Sequence, residues 1–251
     1  MADSSKSAVL GAAPEGATDP QSAARAVREM FTSIAPRYDL LNHVLSCNVD
    51  RLWWRRTART FADILSRPDA RVLDLCCGTG DMTLALRRQA KQSSATIMGA
   101  DFSHAMLQRA SDKAASTSLR WIEADALRLP FPDSHFDLIT SAFGFRNLAN
   151  YDAGLQEIKR VLRPDGEFGI LDFGEPKGLV GSCYRIYFKR VLPAIGTFIS
   201  GVKGPYAYLP TSVARFPAPE EMLQRIRQAG FHDPSWTPYT LGIAGLYRGR
   251  K

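Results

Sequence analysis

No stretch of about 18 apolar residues occurs anywhere in the chain, so no membrane-spanning helix is expected. Cysteine is scarce. Cys47, Cys76, Cys77 and Cys183 show no C-x-x-C spacing, which argues against a disulfide framework or a zinc site and for a reducing cytosol. The stretch from Met1 to Pro20 has no basic segment followed by an apolar one, so no secretory signal is expected. No internal repeat is found, which excludes solenoids and propellers. What is present is 45% apolar and 23% charged over 251 residues, enough for the packed core of one large domain and too short for two.

The formal net charge of +7 suits a nucleic acid, an anionic membrane surface or a negatively charged small substrate, and composition does not choose among them. Arg51, Arg55, Arg56 and Arg59 surround Trp53 and Trp54 with no acid between them. A solvated helix face is the plainer reading of this cluster. A surface that meets lipid headgroups is the sharper one.

The first 24 or so residues are rich in Ala, Ser, Gly and Pro and show no period, which reads as a disordered leader. Ser22 to Ser33 has a helical pattern that halts at Ala35-Pro36, and Tyr38 to Arg67 reads as helix, turn, helix. Apolar runs then alternate with helical stretches. The expected strands are 71–75, 95–100, 119–124, 136–141 and 167–172, with helices following Gly80 to about Gln89 and over 103–115 and 151–163. Glu220 to Ala229 reads as a helix, with closing strands at 236–240 and 242–247. This alternation predicts an α/β fold with a parallel sheet covered on both faces. Between the halves, 185–208 is apolar but broken by Pro193, Gly196 and Gly201; it reads either as a lid over an apolar ligand or as an insertion packed on the sheet.

The sharpest local signal is Asp74-Leu-Cys-Cys-Gly-Thr-Gly80 after the first strand. Gly78 and Gly80 stand where backbone passes close to a ligand, but a dinucleotide turn would place a third glycine where Thr83 stands. A nucleoside without pyrophosphate does not need that third close approach. Asp101 ends the second strand, 21 residues after Gly80, where an acid accepts hydrogen bonds from ribose hydroxyls. Asp125 ends the third, where its carboxylate or the Ala126 amide reaches an adenine edge. Either aspartate alone is an ordinary cap. Together at the carboxyl edge of a parallel sheet they imply S-adenosylmethionine as the ligand.

Leu73-Asp-Leu-Cys-Cys-Gly-Thr-Gly-Asp81, Ala124 to Asp133 and Phe136-Asp-Leu-Ile-Thr140 resemble class I methyltransferases. Tyr38-Asp-Leu-Leu-Asn42 with Leu45-Ser46 and Asp50-Arg-Leu-Trp53 resembles the amino-terminal signature of the ubiquinone/menaquinone biosynthesis C-methyltransferases. Phe143-Gly-Phe-Arg-Asn147, Arg160 to Pro164, Tyr206-x-Tyr208-Leu209 and Gly242 to Gly249 are similar to further blocks of that family. The resemblance runs from about Phe31 to the end. Departures stand at Leu41 (usually Met), Asp50 (His), Asp165 (Gly), Asp172 (Glu), Ala142 (often Ser) and the Cys76-Cys77 pair.

The resemblance implies a Rossmann-like doubly wound, mostly parallel sheet with a helical amino-terminal segment and a lid. The expected organisation is a leader over 1–24 and a single methyltransferase domain over 25–251. That domain divides into a helical cap (25–67), a cofactor-binding core (68–175), a substrate lid (176–216) and a closing helix with strands (217–251). The activity implied is methyl transfer from S-adenosylmethionine to a ring carbon of a prenylated quinol, most specifically a demethylmenaquinol, with the benzoquinol precursor of ubiquinone, or another small acceptor such as a sterol or phenol, as the alternative. Asp74, Gly78, Thr79, Gly80, Asp101, Asp125 and Ala126 carry over to the cofactor, and Arg146 and Asn147 to the reaction centre, with Tyr38 and Asn42 closing it. A carbon nucleophile needs its neighbouring ring hydroxyl deprotonated, and a guanidinium stabilises the resulting phenolate while being an awkward proton acceptor. No metal is required. Among the histidines only His43 lies within a signature block; His104, His135 and His232 do not suggest a base. The expected partners are the quinol and, transiently, an anionic membrane surface at the inner face of the cell membrane, with a homodimer left open. Nucleic acid is not expected, because no Asn/Asp-Pro-Pro-Tyr motif follows the fourth strand.

Overall fold

A computed structural model describes residues 11, 12, 14, 16–39, 46, 48–174, 176, 178, 181 and 205–251. The expectations for Asn42, His43, Cys47, Cys183 and most of the 185–208 segment lie outside these residues.

The strands are β1 (Arg71–Leu75), β2 (Thr96–Asp101), β3 (Arg120–Glu123), β4 (Phe136–Ala142), β5 (Leu162–Phe173), β6 (His232–Tyr239) and β7 (Ala244–Arg250). They form one sheet in the order β3-β2-β1-β4-β5-β7-β6. Pairing is parallel from β3 to β5, while β7 runs antiparallel between β5 and β6. The helices are α1 (Pro20–Ile34), α2 (Val49–Thr60), α3 (Asp81–Gln89), α4 (His104–Lys113), α5 (Tyr151–Val161), α6 (Pro205–Arg215) and α7 (Pro219–Gln228). Two cores form, one on each face of the sheet. Leu73, Leu75, Ile139 and Phe168 join one, and Val72, Leu138 and Leu171 the other, because successive strand residues point to opposite faces. Order reverses between β1 and β4, and the carboxyl ends there make the crevice where such sheets hold ligands.

The structure departs from the sequence reading in four places. First, the stretch expected to be a leader is not uniformly so. Ala12 is buried and its amide donates to the Leu148 carbonyl at 2.8 Å. The helix also starts earlier, at Pro20, because Asp19 accepts from the Gln21 and Ser22 amides while Ser22 Oγ accepts from the Asp19 amide. Second, β5 begins at Leu162 instead of 167, since Phe136 pairs with Leu162 and Leu138 with Glu167 around a bulge. Asp165 lies in that bulge at φ 61°, a left-handed backbone that explains why glycine is usual there.

Third, β6 starts at His232, four residues ahead of expectation; as an edge strand it tolerates Pro234 and Pro238, which hid it. Fourth, Trp53 and Trp54 are buried and do not lie on the exposed face that carries the arginines, although Trp54 reaches the wall of a groove that Arg51 and Arg55 also line. Helical phase puts Asp50, Trp53, Trp54 and Thr57 on the buried side of α2 and Arg51, Arg55, Arg56 and Arg59 outside. The Trp53 indole N–H donates to Thr240 Oγ1 at 2.7 Å. The lipid-facing tryptophans expected from sequence are therefore core residues.

Candidate active site

At the carboxyl ends of β1, β2 and β4 lies a cavity of about 450 Å³, within the usual size of small-molecule sites. Its walls carry Met30, Phe31, Ile34, Tyr38, Trp53, Phe143 and Phe173, with Arg146 and Asn147 at one side. Five carboxylates (Asp50, Asp74, Asp81, Asp101 and Asp125) line it, against the single cation Arg146 among the described lining residues.

The loop after β1 forms because Cys76 and Gly78 both take left-handed backbone, at φ 54° each. A Cβ on Gly78 would meet only the Tyr38 ring edge, at 3.9 Å, so bare backbone faces the cavity there. Gly80 differs from the sequence expectation: it does not line the cavity. At φ +85° it starts α3, and its missing Cβ is filled by the Trp121 indole, which a Cβ would approach to 2.6 Å. Gly80 therefore serves packing. Asp74 sits beneath the loop, accepting from the Thr83 hydroxyl at 2.6 Å and the Thr140 hydroxyl at 2.9 Å. Burial pushes its carboxyl up to about 7 against those hydrogen bonds.

Asp101 is buried at the end of β2 and grips the loop. One oxygen accepts from the Gly78 amide at 2.8 Å and the other from the Ser103 amide at 2.9 Å. Burial raises it to about 6, again against the amides. Asp125 is exposed at the rim, where Oδ1 accepts from the Leu127 amide at 2.9 Å; Ala126 beside it is buried. Thr79 donates to Asp39, and Lys113 bridges Asp39 at 2.7 Å and Asp81 at 3.0 Å. This latch ties the amino-terminal segment to the loop. Its partners lie 32 to 74 residues apart in sequence, so no local pattern announces it.

Arg146 and Asn147 lie in a 3-10 turn, Phe145–Asn147, directly after β4. The guanidinium is buried and paired with Asp172 at 2.8 Å, and it also donates to the Phe143 carbonyl. The Arg146 amide donates to Asp172 Oδ2 at 3.2 Å, while Tyr151 donates to the Arg146 carbonyl at 3.0 Å. The guanidinium lies over the Phe173 ring, 5.1 Å from its centroid. Among the described residues its Nε–H has no acceptor, although it is buried. A buried donor without a partner carries a desolvation cost that a ligand oxygen would relieve.

Asn147 Oδ1 accepts from Tyr208 at 3.2 Å, and burial pushes that phenol up to about 12, so it stays a donor. Tyr208 had a family block as its signal. Asp172 had only its departure from glutamate, and its partnership with Arg146 spans 26 residues.

His104, His135 and His232 do not line the cavity. Cys76 and Cys77 do, but burial raises both thiols well above the usual range, which suits inert walls. Bare loop backbone, a buried carboxylate one strand over and an excess of acid fit a nucleoside that carries a cationic sulfur. S-adenosylmethionine has that chemistry.

Comparison with known proteins agrees. The chain is 49% identical over 236 residues to the demethylmenaquinone methyltransferase of Deinococcus radiodurans, covering 93% of this chain and 95% of the relative. It is 43% identical over 230 residues to the ubiquinone/menaquinone biosynthesis C-methyltransferase of Geobacter sulfurreducens, covering 90% and 88%. Among solved structures, a SAM-dependent methyltransferase from Aquifex aeolicus shares the fold with a TM-score of 0.56 at 17% identity, over 76% of this chain and 87% of that one. The model of the ubiE/COQ5 methyltransferase family matches residues 18–251, nearly the whole described chain, and the protein belongs to that family.

Proposed function

We propose that the protein methylates a ring carbon of a prenylated quinol, converting demethylmenaquinol to menaquinol. The observation that carries this reading is the buried Arg146, whose Nε–H has no acceptor among the described residues, in the same cavity as the Asp101-gripped loop. When bound, S-adenosylmethionine supplies an electrophilic methyl on a positively charged sulfur. The backbone of Gly78 and Thr79, the Asp101 carboxylate and the Asp125–Ala126 turn hold and orient the nucleoside. Aromatic walls from Trp53, Phe143 and Phe173 exclude water and take the flat acceptor ring. Arg146 holds the negative charge that develops on the ring oxygen, and Asp172 fixes the guanidinium plane. Asn147, oriented by Tyr208, binds the second quinol oxygen. Tyr38 closes the cavity over the loop.

The naphthoquinol reading rests on the 49% relative, whose name specifies that ring. The name of the 43% relative covers both pathways, which keeps the benzoquinol precursor as the second reading. Competition between the two reduced acceptors for one pool of labelled S-adenosylmethionine separates them. Label in the naphthoquinol by at least ~10-fold in kcat/KM supports the first reading, and the reverse ratio supports the second.

No helix among the described residues is long and apolar enough to cross a membrane. The substrate nevertheless lives in a bilayer. A groove beside the cavity is lined by Arg51, Arg55, Arg88, Lys91 and Arg120, with Leu52 at 59% exposure on the adjoining turn. This face, which keeps Arg51 and Arg55 but exposes little of the tryptophans, is the element that meets anionic lipid at the inner face of the membrane. Reversing Arg55, Arg88, Lys91 and Arg120 to Glu removes at least ~4 kcal/mol of attraction. Co-sedimentation with anionic vesicles is then expected to disappear, while transfer to a short-tailed, water-soluble quinol persists. Undiminished co-sedimentation would reject this face.

A further inference from the structure

S-adenosylmethionine must enter the cavity, and its demethylated product must leave, once per turnover whichever ring takes the methyl. We propose that Lys113 is the positioning residue that governs this exchange, by holding the amino-terminal segment 20–39 shut over the cofactor loop.

That segment forms one wall of the cavity through Ala24, Met30, Phe31, Ile34 and Tyr38. Its apolar seat is small. Ile34, Ala35 and Met106 bury together, with Phe31, Tyr38 and Ala105 around them, apart from the two cores of the sheet. Polar contacts moor the segment at both ends. Near its start, Arg28 Nε donates to the Phe102 carbonyl at 2.7 Å, and the Thr32 and Ser103 hydroxyls meet at 3.1 Å, both on the turn after β2. At the far end stands Lys113, the last residue of α4. An ammonium has three N–H donors, and three partners surround this one: Asp39 Oδ2 at 2.7 Å, Asp81 Oδ1 at 3.0 Å and Thr79 Oγ1 at 3.2 Å. Thr79 in turn donates to Asp39 Oδ1. One cation thus joins the segment, the cofactor loop and the first turn of α3.

The place of this cluster gives it its role. Thr79 and Asp81 line the cavity, while Asp39, Asp81 and Lys113 line the basic groove beside it. The cluster is a partition between the two spaces, so breaking it connects the cavity with the groove. Its strength also suits a closure that opens. The side chains of Lys113, Asp39 and Asp81 are 26%, 34% and 20% exposed, and partly exposed ion pairs are individually weak. Removing the ammonium does more than delete two pairs, because it leaves two like charges facing each other across Thr79.

The test reads ligand exchange and opening of the segment separately. Release of labelled S-adenosylmethionine into an excess of the unlabelled compound is followed after rapid mixing in wild type, Lys113→Met, Asp39→Asn, the double variant and Lys113→Arg. Amide hydrogen exchange is recorded on the same proteins without ligand. Lys113→Met is expected to release the ligand ~10-fold faster or more, with entry no slower than in wild type. Lys113→Arg keeps the charge and is expected to stay within ~3-fold of wild type. Asp39→Asn is expected to speed release as well, and the double variant to add little to Lys113→Met, because both changes act on one contact. Should Lys113→Met fold poorly, Asp39→Asn carries the same comparison. Without ligand, amides of 20–39 are expected to exchange ~10-fold faster in Lys113→Met, while those of β1 and β4 do not change. Unchanged release, or faster release with the segment's exchange unaltered, would overturn the role of Lys113. Faster exchange throughout the sheet would also overturn it, marking Lys113 as an ordinary strut. Wild-type protein that fails to bind S-adenosylmethionine would instead overturn the cofactor site on which the role rests.

Discussion

Arg146→Ala is expected to abolish methyl transfer and to weaken the fold at the same time. The two effects have separate causes. Removing the guanidinium leaves the Asp172 carboxylate, fully buried, without its cation, which costs ~3–5 kcal/mol of stability. Removing the Nε–H donor costs the developing phenolate its stabiliser, worth a factor of ~100–1000 in kcat. A paired variant separates them. Arg146→Met with Asp172→Asn removes both charges, and the asparagine oxygen still accepts from the Phe173 amide, which now bonds Asp172 at 2.9 Å. Chemical denaturation is expected to show most of the stability regained in the pair, while kcat remains at the level of the single variant. Recovery of turnover together with stability would mean that Arg146 acts only as a strut.

The second large effect concerns Asp101. Its two oxygens hold the Gly78 and Ser103 amides, so Asp101→Ala loosens the cofactor loop and also removes the acceptor for the ribose hydroxyls. Two charge-assisted hydrogen bonds together are worth ~3 kcal/mol or more, so S-adenosylmethionine affinity is expected to fall ~100-fold. The same residue sets a pH dependence. Burial raises its carboxyl to about 6, and the ligand draws on the ionised form. Affinity is therefore full above that pH and falls as pH drops through it. In Asp101→Asn the midpoint near 6 is expected to vanish, leaving only what Asp74, raised to about 7, contributes. Calorimetric titrations between pH 5 and 8 measure both. An unchanged midpoint in the asparagine variant would remove Asp101 from the cofactor site.

How much of this was legible depended on how local each signal is. β1 matched its expected bounds and β2 and β4 nearly so, because central parallel strands are buried on both faces and read as unbroken apolar runs. β6 and the start of β5 were obscured by edge prolines and a bulge, which break the run without breaking the ladder.

The site shows the same division. Asp74, Gly78, Thr79, Asp101, Asp125, Ala126, Arg146, Asn147 and Tyr38 do line one cavity, since strand ends converge there by topology. Gly80 was misread because a close approach by Trp121 and one by a ligand demand the same missing Cβ. The tryptophans were misread because sequence proximity to arginine says nothing of helical phase. The Arg146–Asp172 pair and the Asp39–Lys113 latch join segments distant in the chain, and only the folded sheet brings them together.

The central claim is electronic: the acceptor is a quinol activated as its phenolate beside Arg146. The most direct measurement is methyl transfer from labelled S-adenosylmethionine to demethylmenaquinol and to its oxidised quinone under otherwise identical conditions. Label is expected in menaquinone extracted from the reduced reaction only, and it is expected to be lost with Arg146→Met/Asp172→Asn. Equal labelling of the oxidised acceptor, or tight cofactor binding without transfer to either ring, would contradict the account.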